Sequence, residues 1–159
     1  MVERLKGDWL LVGGALVALW LEPRRVTADI DIVGLEGTQG ERLRLMEFAE
    51  SQGLPIEAVN SAVDFLVQRI PGWRDEIEIF RERGGTRIFR PTPTLFLLLK
   101  VRRLSEQDLA DCLKMLDRVG DEGLVLDAER VLRALEELDT SDDPDLDLRR
   151  SLLQEKLAP

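Results

Sequence analysis

The order of apolar and polar positions predicts strands and helices in alternation over the first part of the chain. Residues 9–12 are an apolar run that ends at two glycines, and the apolar segment 15–21 follows and stops at Pro23. This order is typical of a strand, a tight turn and a buried helix. Residues 26–33 then alternate between apolar and polar and predict a second strand that ends at Gly34.

The middle of the chain predicts a helix, a third strand and a hairpin. Residues 41–52 have apolar positions at helical spacing, which predicts a helix. Residues 62–68 alternate again and predict the third strand. Residues 77–80 and 86–89 are short apolar runs on either side of two adjacent glycines, which is typical of a β-hairpin.

Helices predominate in the last part of the sequence. Thr94 is the predicted N-cap of an apolar helix that leads into Lys100. Ser105 and Asp108 have the spacing of a capping box at the start of a second helix. Two further helices are predicted, one at 127–138 and one after the acidic linker 140–147.

These elements together predict an α/β (α+β) fold in two regions. Residues 1–93 form a small mixed-sheet core, and residues 94–159 form a helical region that packs on this core. At 159 residues, with 44% hydrophobic and 33% charged residues, the chain can bury a core and is neither disordered nor a membrane protein. No apolar stretch approaches the roughly 20 residues of a membrane span, and the N-terminus lacks the apolar region of a signal peptide. We therefore expect a cytoplasmic protein.

The composition restricts the chemistry that is available. The chain has no histidine and one cysteine, Cys112, which excludes internal disulfides, His- or Cys-based zinc sites and Ser-His-Asp catalysis. Any metal must be bound by oxygen. The net charge is −9, but residues 81–103 contain seven basic and one acidic side chains. Such a basic segment suits a polyphosphate or an RNA end, although a solvated surface is an equal alternative.

Two short motifs predict a phosphate and metal site. Gly13 and Gly14 lie between a predicted strand and a helix, where backbone N–H groups can bind an anion; a tight turn that needs small residues is the alternative. Asp29 and Asp31 project from one face of the second strand, where like charges repel unless a cation is bound. Mg²⁺ prefers such oxygen ligands. A solvent-facing strand is the alternative here.

The segments LVGGALVALW and VTADIDIV together resemble the signature of the DNA polymerase beta-like nucleotidyltransferase superfamily. The resemblance implies that the two glycines hold the nucleotide phosphates and that the two aspartates bind Mg²⁺ or Mn²⁺. It also implies a third metal-binding carboxylate on a later strand. Asp64, in AVDFLV, fits that position best, and Glu78 is the alternative.

Fourteen residues separate Gly14 from Asp29, and this spacing resembles the bacterial AbiEii-like branch, which includes the nucleotidyltransferase toxins of type IV toxin–antitoxin systems. That branch has a basic residue and a Thr or Ser before the aspartate pair, and a later helix with Lys followed by Asp. The resemblance covers roughly residues 9–118. The positions that match are Arg25, Thr27, Lys100, Asp108 and Asp111, of which Thr27, Lys100 and Asp108 are expected to contact the nucleotide.

The predicted function is a metal-dependent transfer of a nucleoside monophosphate from an NTP to a hydroxyl group on RNA, a protein or a small molecule. The alternative is a nucleotide-binding or protein-interaction module that keeps the fold without turnover and acts with an antitoxin-like partner. Asp64 distinguishes the two, because loss of the third carboxylate would leave the metal that activates the hydroxyl poorly held.

Overall fold

The computed structural model describes residues 5–27, 29–53, 55, 59–60 and 63–158, and for residues 59–60 it describes the backbone alone. The chain forms two compact units, Met1–Pro91 and Thr92–Pro159. The first contains a mixed sheet with helices and the second contains helices. The predicted α/β (α+β) class is confirmed. The division between the units falls close to the boundary predicted between residues 93 and 94.

The first unit is built around a five-stranded sheet with the order β3-β2-β1-β5-β4. Strand β1 is antiparallel to β2 and parallel to β5, while β3 is parallel to β2 and β4 is antiparallel to β5. The elements are β1 (Gly7–Val12), α1 (Gly13–Trp20), β2 (Ile30–Gly34), α2 (Gln39–Ser51), β3 (Val59–Asn60), α3 (Asp64–Val67), a 3₁₀ turn (Trp73–Glu76), β4 (Ile77–Arg83) and β5 (Thr86–Pro91).

Strand β1 is the centre of the sheet. Its apolar residues, from Trp9 to Val12, are all buried, as is typical of a strand that is covered on both faces. The register with β2 pairs Trp9 with Gly34 and Val12 with Asp31. The end of β1 therefore lies beside the beginning of β2, and this brings the first turn of α1 next to the aspartate pair.

The prediction of a strand at residues 62–68 was wrong for its described part, because Asp64–Val67 is the short helix α3; residue 62 lies outside the described residues. The carbonyl of Val63 accepts hydrogen bonds from the backbone N–H groups of Leu66 and Val67, each at 3.0 Å. Val67 is buried whereas Phe65 is 59% exposed. The alternating apolar positions therefore lie on different sides of a helix. The predicted hairpin is confirmed as β4 and β5.

The second unit contains α4 (Pro93–Val101), α5 (Glu106–Glu122), α6 (Ala128–Glu136) and α7 (Pro144–Leu157). The capping box at the start of α5 is confirmed, since Ser105 Oγ accepts from the N–H of Asp108 and the N–H of Ser105 donates to Asp108 Oδ2, both at 3.2 Å. Within the described part of the chain, no helix has the length and apolar character needed to cross a bilayer.

The sequence predicted Thr94 as the N-cap of α4, and this was wrong. The N-cap is Thr92. Thr92 Oγ1 accepts a hydrogen bond from the N–H of Leu95 at 3.3 Å. Pro93 then takes the first helical position, where its missing N–H costs nothing. Thr94 is buried, and its hydroxyl accepts from the N–H of Asp127 at 2.9 Å. Thr94 thus connects α4 to the N-terminus of α6.

Candidate functional site

Gly13 lies directly against the carboxylate of Asp31. Gly13 has a φ of +65°, in the left-handed region that side chains other than glycine rarely adopt. A Cβ atom placed on Gly13 would lie 1.8 Å from Asp31 Oδ2. Only glycine can therefore occupy this position, for a backbone reason and a steric one. The result is an aspartate carboxylate held against the turn that begins α1.

Gly14 lies against the loop that precedes β2. A Cβ atom on Gly14 would lie 2.7 Å from Thr27 Oγ1 and 3.8 Å from a guanidinium nitrogen of Arg25. The Thr27 hydroxyl donates a hydrogen bond to the carbonyl oxygen of Asp29 at 3.1 Å. The structure thus brings the two glycines, Thr27 and the aspartate pair to one end of the β1–β2 pair.

The first turn of α1 lies between hydrogen-bond donors and the carboxylate of Asp31. The first turn of α1 contains no acidic residue, and backbone N–H groups at the start of a helix attract negative charge. The guanidinium of Arg25 lies within 3.8 Å of the position of a Gly14 Cβ. A guanidinium presents several N–H donors in a plane and matches phosphate oxygens well. The backbone N–H groups of this turn and the Arg25 guanidinium are donors of the kind that bind anions.

Asp29 and Asp31 are the two carboxylates that the sequence predicts to bind a divalent cation, and their oxygens are of the type that Mg²⁺ prefers. Asp29 is exposed and Asp31 is half-buried. Mg²⁺ is commonly bound by one or two carboxylates, with water and phosphate oxygens completing its octahedron. Across the residues that the structure describes, no group of three or more Asp, Glu or Cys side chains is arranged to bind a metal ion. Within the described residues, Asp29 and Asp31 are therefore candidate ligands without a third carboxylate grouped with them.

Asp64 lies in a different environment from the aspartate pair. Its Oδ1 accepts from Gln68 Nε2 at 2.8 Å, and it lines a cavity of about 240 Å³ together with Gly34 and Thr38, at the end of β2. The residue of β3 that pairs with Asp31 is Asn60. The role of Asp64 as the third metal ligand stays a prediction.

Glu78, the alternative third carboxylate, lies on β4, where its Oε2 accepts from Arg90 Nη2 at 3.2 Å. Its role in metal binding also stays a prediction.

Sequence reasoning did not single out Glu41, which shapes the cavity beside Asp64. Glu41 is buried, and its carboxylate accepts from the N–H groups of Glu36 at 2.9 Å and Thr38 at 3.0 Å. A Cβ atom on Gly34 would lie 2.4 Å from the Glu41 carboxyl carbon. Glu41 therefore fixes the turn between β2 and α2. A Thr followed three residues later by Glu is a capping-box signature that could have identified it.

Lys100, in the second unit, is held by two buried carboxylates. Its Nζ donates to Asp108 Oδ1 at 3.0 Å and to Asp111 Oδ2 at 2.8 Å. The side chains of Asp108 and Asp111 are 2% and 0% exposed. Arg103 adds a hydrogen bond to Asp108 Oδ2 at 2.7 Å. We name this group the Lys100 cluster: Lys100, Arg103, Asp108 and Asp111.

The cluster keeps Asp108 ionised. Burial by itself would raise the pKa of Asp108, but hydrogen bonds from Arg103 and Ser105 and the charge of Lys100 outweigh burial, so the pKa lies well below its usual value. Burial raises the pKa of the neighbouring Cys112 thiol far above its usual value. Lys100 and Asp108 stabilise each other here, and their contact with a nucleotide stays a prediction.

Comparison of the chain with family models, curated proteins and solved structures found no match. The resemblance to nucleotidyltransferases therefore rests on the two motifs that meet at Gly13 and Asp31.

Proposed function

We propose that this protein is a metal-dependent nucleotidyltransferase that moves a nucleoside monophosphate from an NTP to a hydroxyl acceptor. The observation that carries the proposal is the contact between Gly13 and Asp31, in which the position of a Gly13 Cβ is 1.8 Å from a carboxylate oxygen. This contact joins a phosphate-binding type of turn to a metal-binding type of side chain. Two sequence motifs that are separated by fourteen residues thereby form one site.

The residues of this site have distinct roles in the proposed reaction. The first turn of α1 and Arg25 would bind the triphosphate, and Asp29 and Asp31 would hold divalent metal against it. Bound metal supplies charge that activates the acceptor hydroxyl and offsets charge on the leaving group. The hydroxyl oxygen attacks the α-phosphorus, and the bond from that phosphorus to the oxygen that bridges the α- and β-phosphates breaks. Pyrophosphate leaves with the electron pair of this bond, and the hydroxyl proton passes to water. The protein thus positions the reactants and the metal and supplies charge around them. Neither task requires a histidine.

A second candidate function is a nucleotide-binding module without turnover that acts with an antitoxin-like protein partner. The position of Asp64 favours it, because Asp64 lines the cavity beside Gly34 and Thr38 while Asn60 takes the β3 position that pairs with Asp31. A site with two carboxylates can hold a metal–NTP complex. It would be weaker at activating a hydroxyl, since that step relies on a firmly held metal.

The experiment that tests the proposal is the thermal stability of the wild type and of Asp29→Ala with each common NTP, with and without Mg²⁺. A ligand at 100 times its Kd should add about 2.7 kcal/mol to the free energy of unfolding. Glu47→Ala is the matched control, because Glu47 is an exposed acid on α2 of the same unit. We expect Mg²⁺-dependent stabilisation by at least one NTP, lost in Asp29→Ala and retained in Glu47→Ala.

The NTP identified in this way would then be used with a label on its α-phosphate, together with RNA, protein and small hydroxyl compounds. Transfer of label to any acceptor supports the enzyme, and stabilisation without transfer supports the binding module. Absence of stabilisation by every NTP at millimolar Mg²⁺ would overturn nucleotide binding by the isolated chain.

A further inference from the structure

The first unit has an apolar groove on the sheet face opposite the aspartate pair. Ile32 lies on this face, because side chains alternate along β2 and Asp31 points to the other side. The groove has a volume of about 260 Å³. We define the apolar groove by six residues that line it: Leu11, Ile32 and Ile88 of the sheet, Leu45 and Phe48 of α2, and Phe80 of β4.

A β-bulge places an aromatic ring and a cation at this groove. The pairing of β4 with β5 shifts between Ile79 and Arg81, so that Ile79 faces Phe89 and Arg81 faces Ile88. A bulge of this kind inserts an extra residue and turns side chains to a new direction. Phe80 and Arg81 are consecutive, yet both line the groove.

Arg81, unlike Arg87 and Arg90 of the same hairpin, has no carboxylate partner within the described residues. Arg87 is paired with Asp8, and Arg90 is paired with Glu78 at 3.2 Å. The Arg81 guanidinium lies over the ring of Phe80, with its carbon 5.5 Å from the ring centroid. The groove therefore combines an apolar interior with one cation, Arg81, whose charge no described carboxylate neutralises.

These features define the chemistry of a ligand. The six defining residues offer no side-chain hydrogen-bond partner, so a polar group placed among them would lose its hydration without compensation. The ligand body must therefore be apolar. One guanidinium matches one carboxylate with two parallel hydrogen bonds. A phosphate would bring more charge and more acceptor oxygens than this single arginine can satisfy.

The volume limits the length of the apolar body. A cavity of about 150 Å³ accommodates benzene, which has six carbons. By the same ratio, about 260 Å³ accommodates roughly ten carbons. This size suits a medium-chain acyl group and is too small for a protein helix, whose diameter with side chains is about 10–12 Å.

We propose that the apolar groove is a binding site for a medium-chain carboxylate, with its hydrocarbon chain over Leu11, Ile32 and Ile88 and its carboxylate on Arg81. This site is separate from the proposed nucleotide site, because it uses the other face of the sheet. The proposal holds whether or not the chain is a nucleotidyltransferase.

The test is isothermal titration of the full chain with decanoate and with decan-1-ol, which has the same tail without the charge. Arg81→Gln removes the cation, and Arg83→Gln is the matched control on the same strand. Leu19→Trp fills the groove from a residue that lines it and is 58% exposed, so folding should be retained. Unfolding midpoints of the free variants establish that each one is folded.

We expect saturable binding of decanoate that is about tenfold or more weaker in Arg81→Gln and unchanged in Arg83→Gln. Decan-1-ol should bind wild type and Arg81→Gln equally, and Leu19→Trp should lose both ligands. Equal decanoate affinity in wild type and Arg81→Gln would overturn the assignment of the carboxylate to Arg81. Unchanged binding in Leu19→Trp, or no saturable binding at about 1 mM decanoate, would overturn the site.

Discussion

Gly13→Ala should lower the free energy of unfolding more than Gly53→Ala does, although both glycines have a φ of +65°. The left-handed conformation costs an alanine about 1–2 kcal/mol at either position. A Cβ atom on Gly53 meets nothing within 4 Å, whereas one on Gly13 would lie 1.8 Å from Oδ2 and 2.7 Å from Cγ of Asp31. Asp31 would have to move, and forced movement in a packed site typically costs about 1–3 kcal/mol. The expected difference between the two variants is therefore about 1–3 kcal/mol.

Urea denaturation measures this difference, since the midpoint and the slope together give the free energy of unfolding. A second measurement connects the clash to function: stabilisation by Mg²⁺ and NTP should be lost in Gly13→Ala and kept in Gly53→Ala. If the two variants lose the same free energy of unfolding within about 0.5 kcal/mol, Asp31 does not lie against Gly13, and the observation behind the proposed function fails.

Three further predictions concern the second unit. Lys100→Met should cost about 3–5 kcal/mol in urea denaturation, because it removes the cation that two buried carboxylates share, while Lys156→Met, on the exposed side of α7, should cost little; similar losses would contradict the Lys100 cluster. The pKa of Asp108 is lowered in the folded state, so its contribution to stability is complete above the unfolded pKa of about 4 and is lost as the pH falls below it. The urea midpoint of the wild type should therefore fall more steeply with acid than that of Asp108→Asn, and parallel pH profiles would argue against the lowered pKa. The Cys112 thiol, which is buried with a raised pKa, should react with iodoacetamide at pH 8 after unfolding in urea and not in the native protein; rapid native modification, read by mass spectrometry, would show that it is accessible.

The parts of the fold that could be predicted from sequence are those in which local pattern and tertiary burial agree. The run that ends at Gly13 and the alternation through Asp31 identified β1, α1 and β2. Residues 62–68 could not be assigned in this way, because Val63 and Val67 satisfy both the strand period and the helical i,i+4 spacing. Over so short a run, the periodicity does not decide the conformation. The backbone hydrogen bonds to the carbonyl of Val63 are those of a helix.

For the candidate site, the sequence indicated motifs that lie close together in the fold but did not indicate all of their contacts. The two glycines and Asp31 meet because β1 and β2 are neighbouring antiparallel strands, an arrangement that a β–α–β order permits. Lys100, Asp108 and Asp111 were identified through the resemblance to the AbiEii-like branch, but the pairing of Lys100 on α4 with both carboxylates of α5 was not predicted. Pairing between helices depends on their packing, which periodicity does not specify.

The sheet order has a consequence for how the first unit acquires its structure. Strand β1 lies between β2, which follows it closely in sequence, and β5, whose residues Thr86–Pro91 come much later. During synthesis, β1 therefore has one open edge that carries the apolar run from Trp9 to Val12 until β5 emerges from the ribosome. Closing that parallel pair requires a long loop to form first, which slows folding. The nascent sheet therefore stays prone to aggregate through the open edge of β1 until the β4–β5 hairpin has been synthesised and β5 pairs with β1.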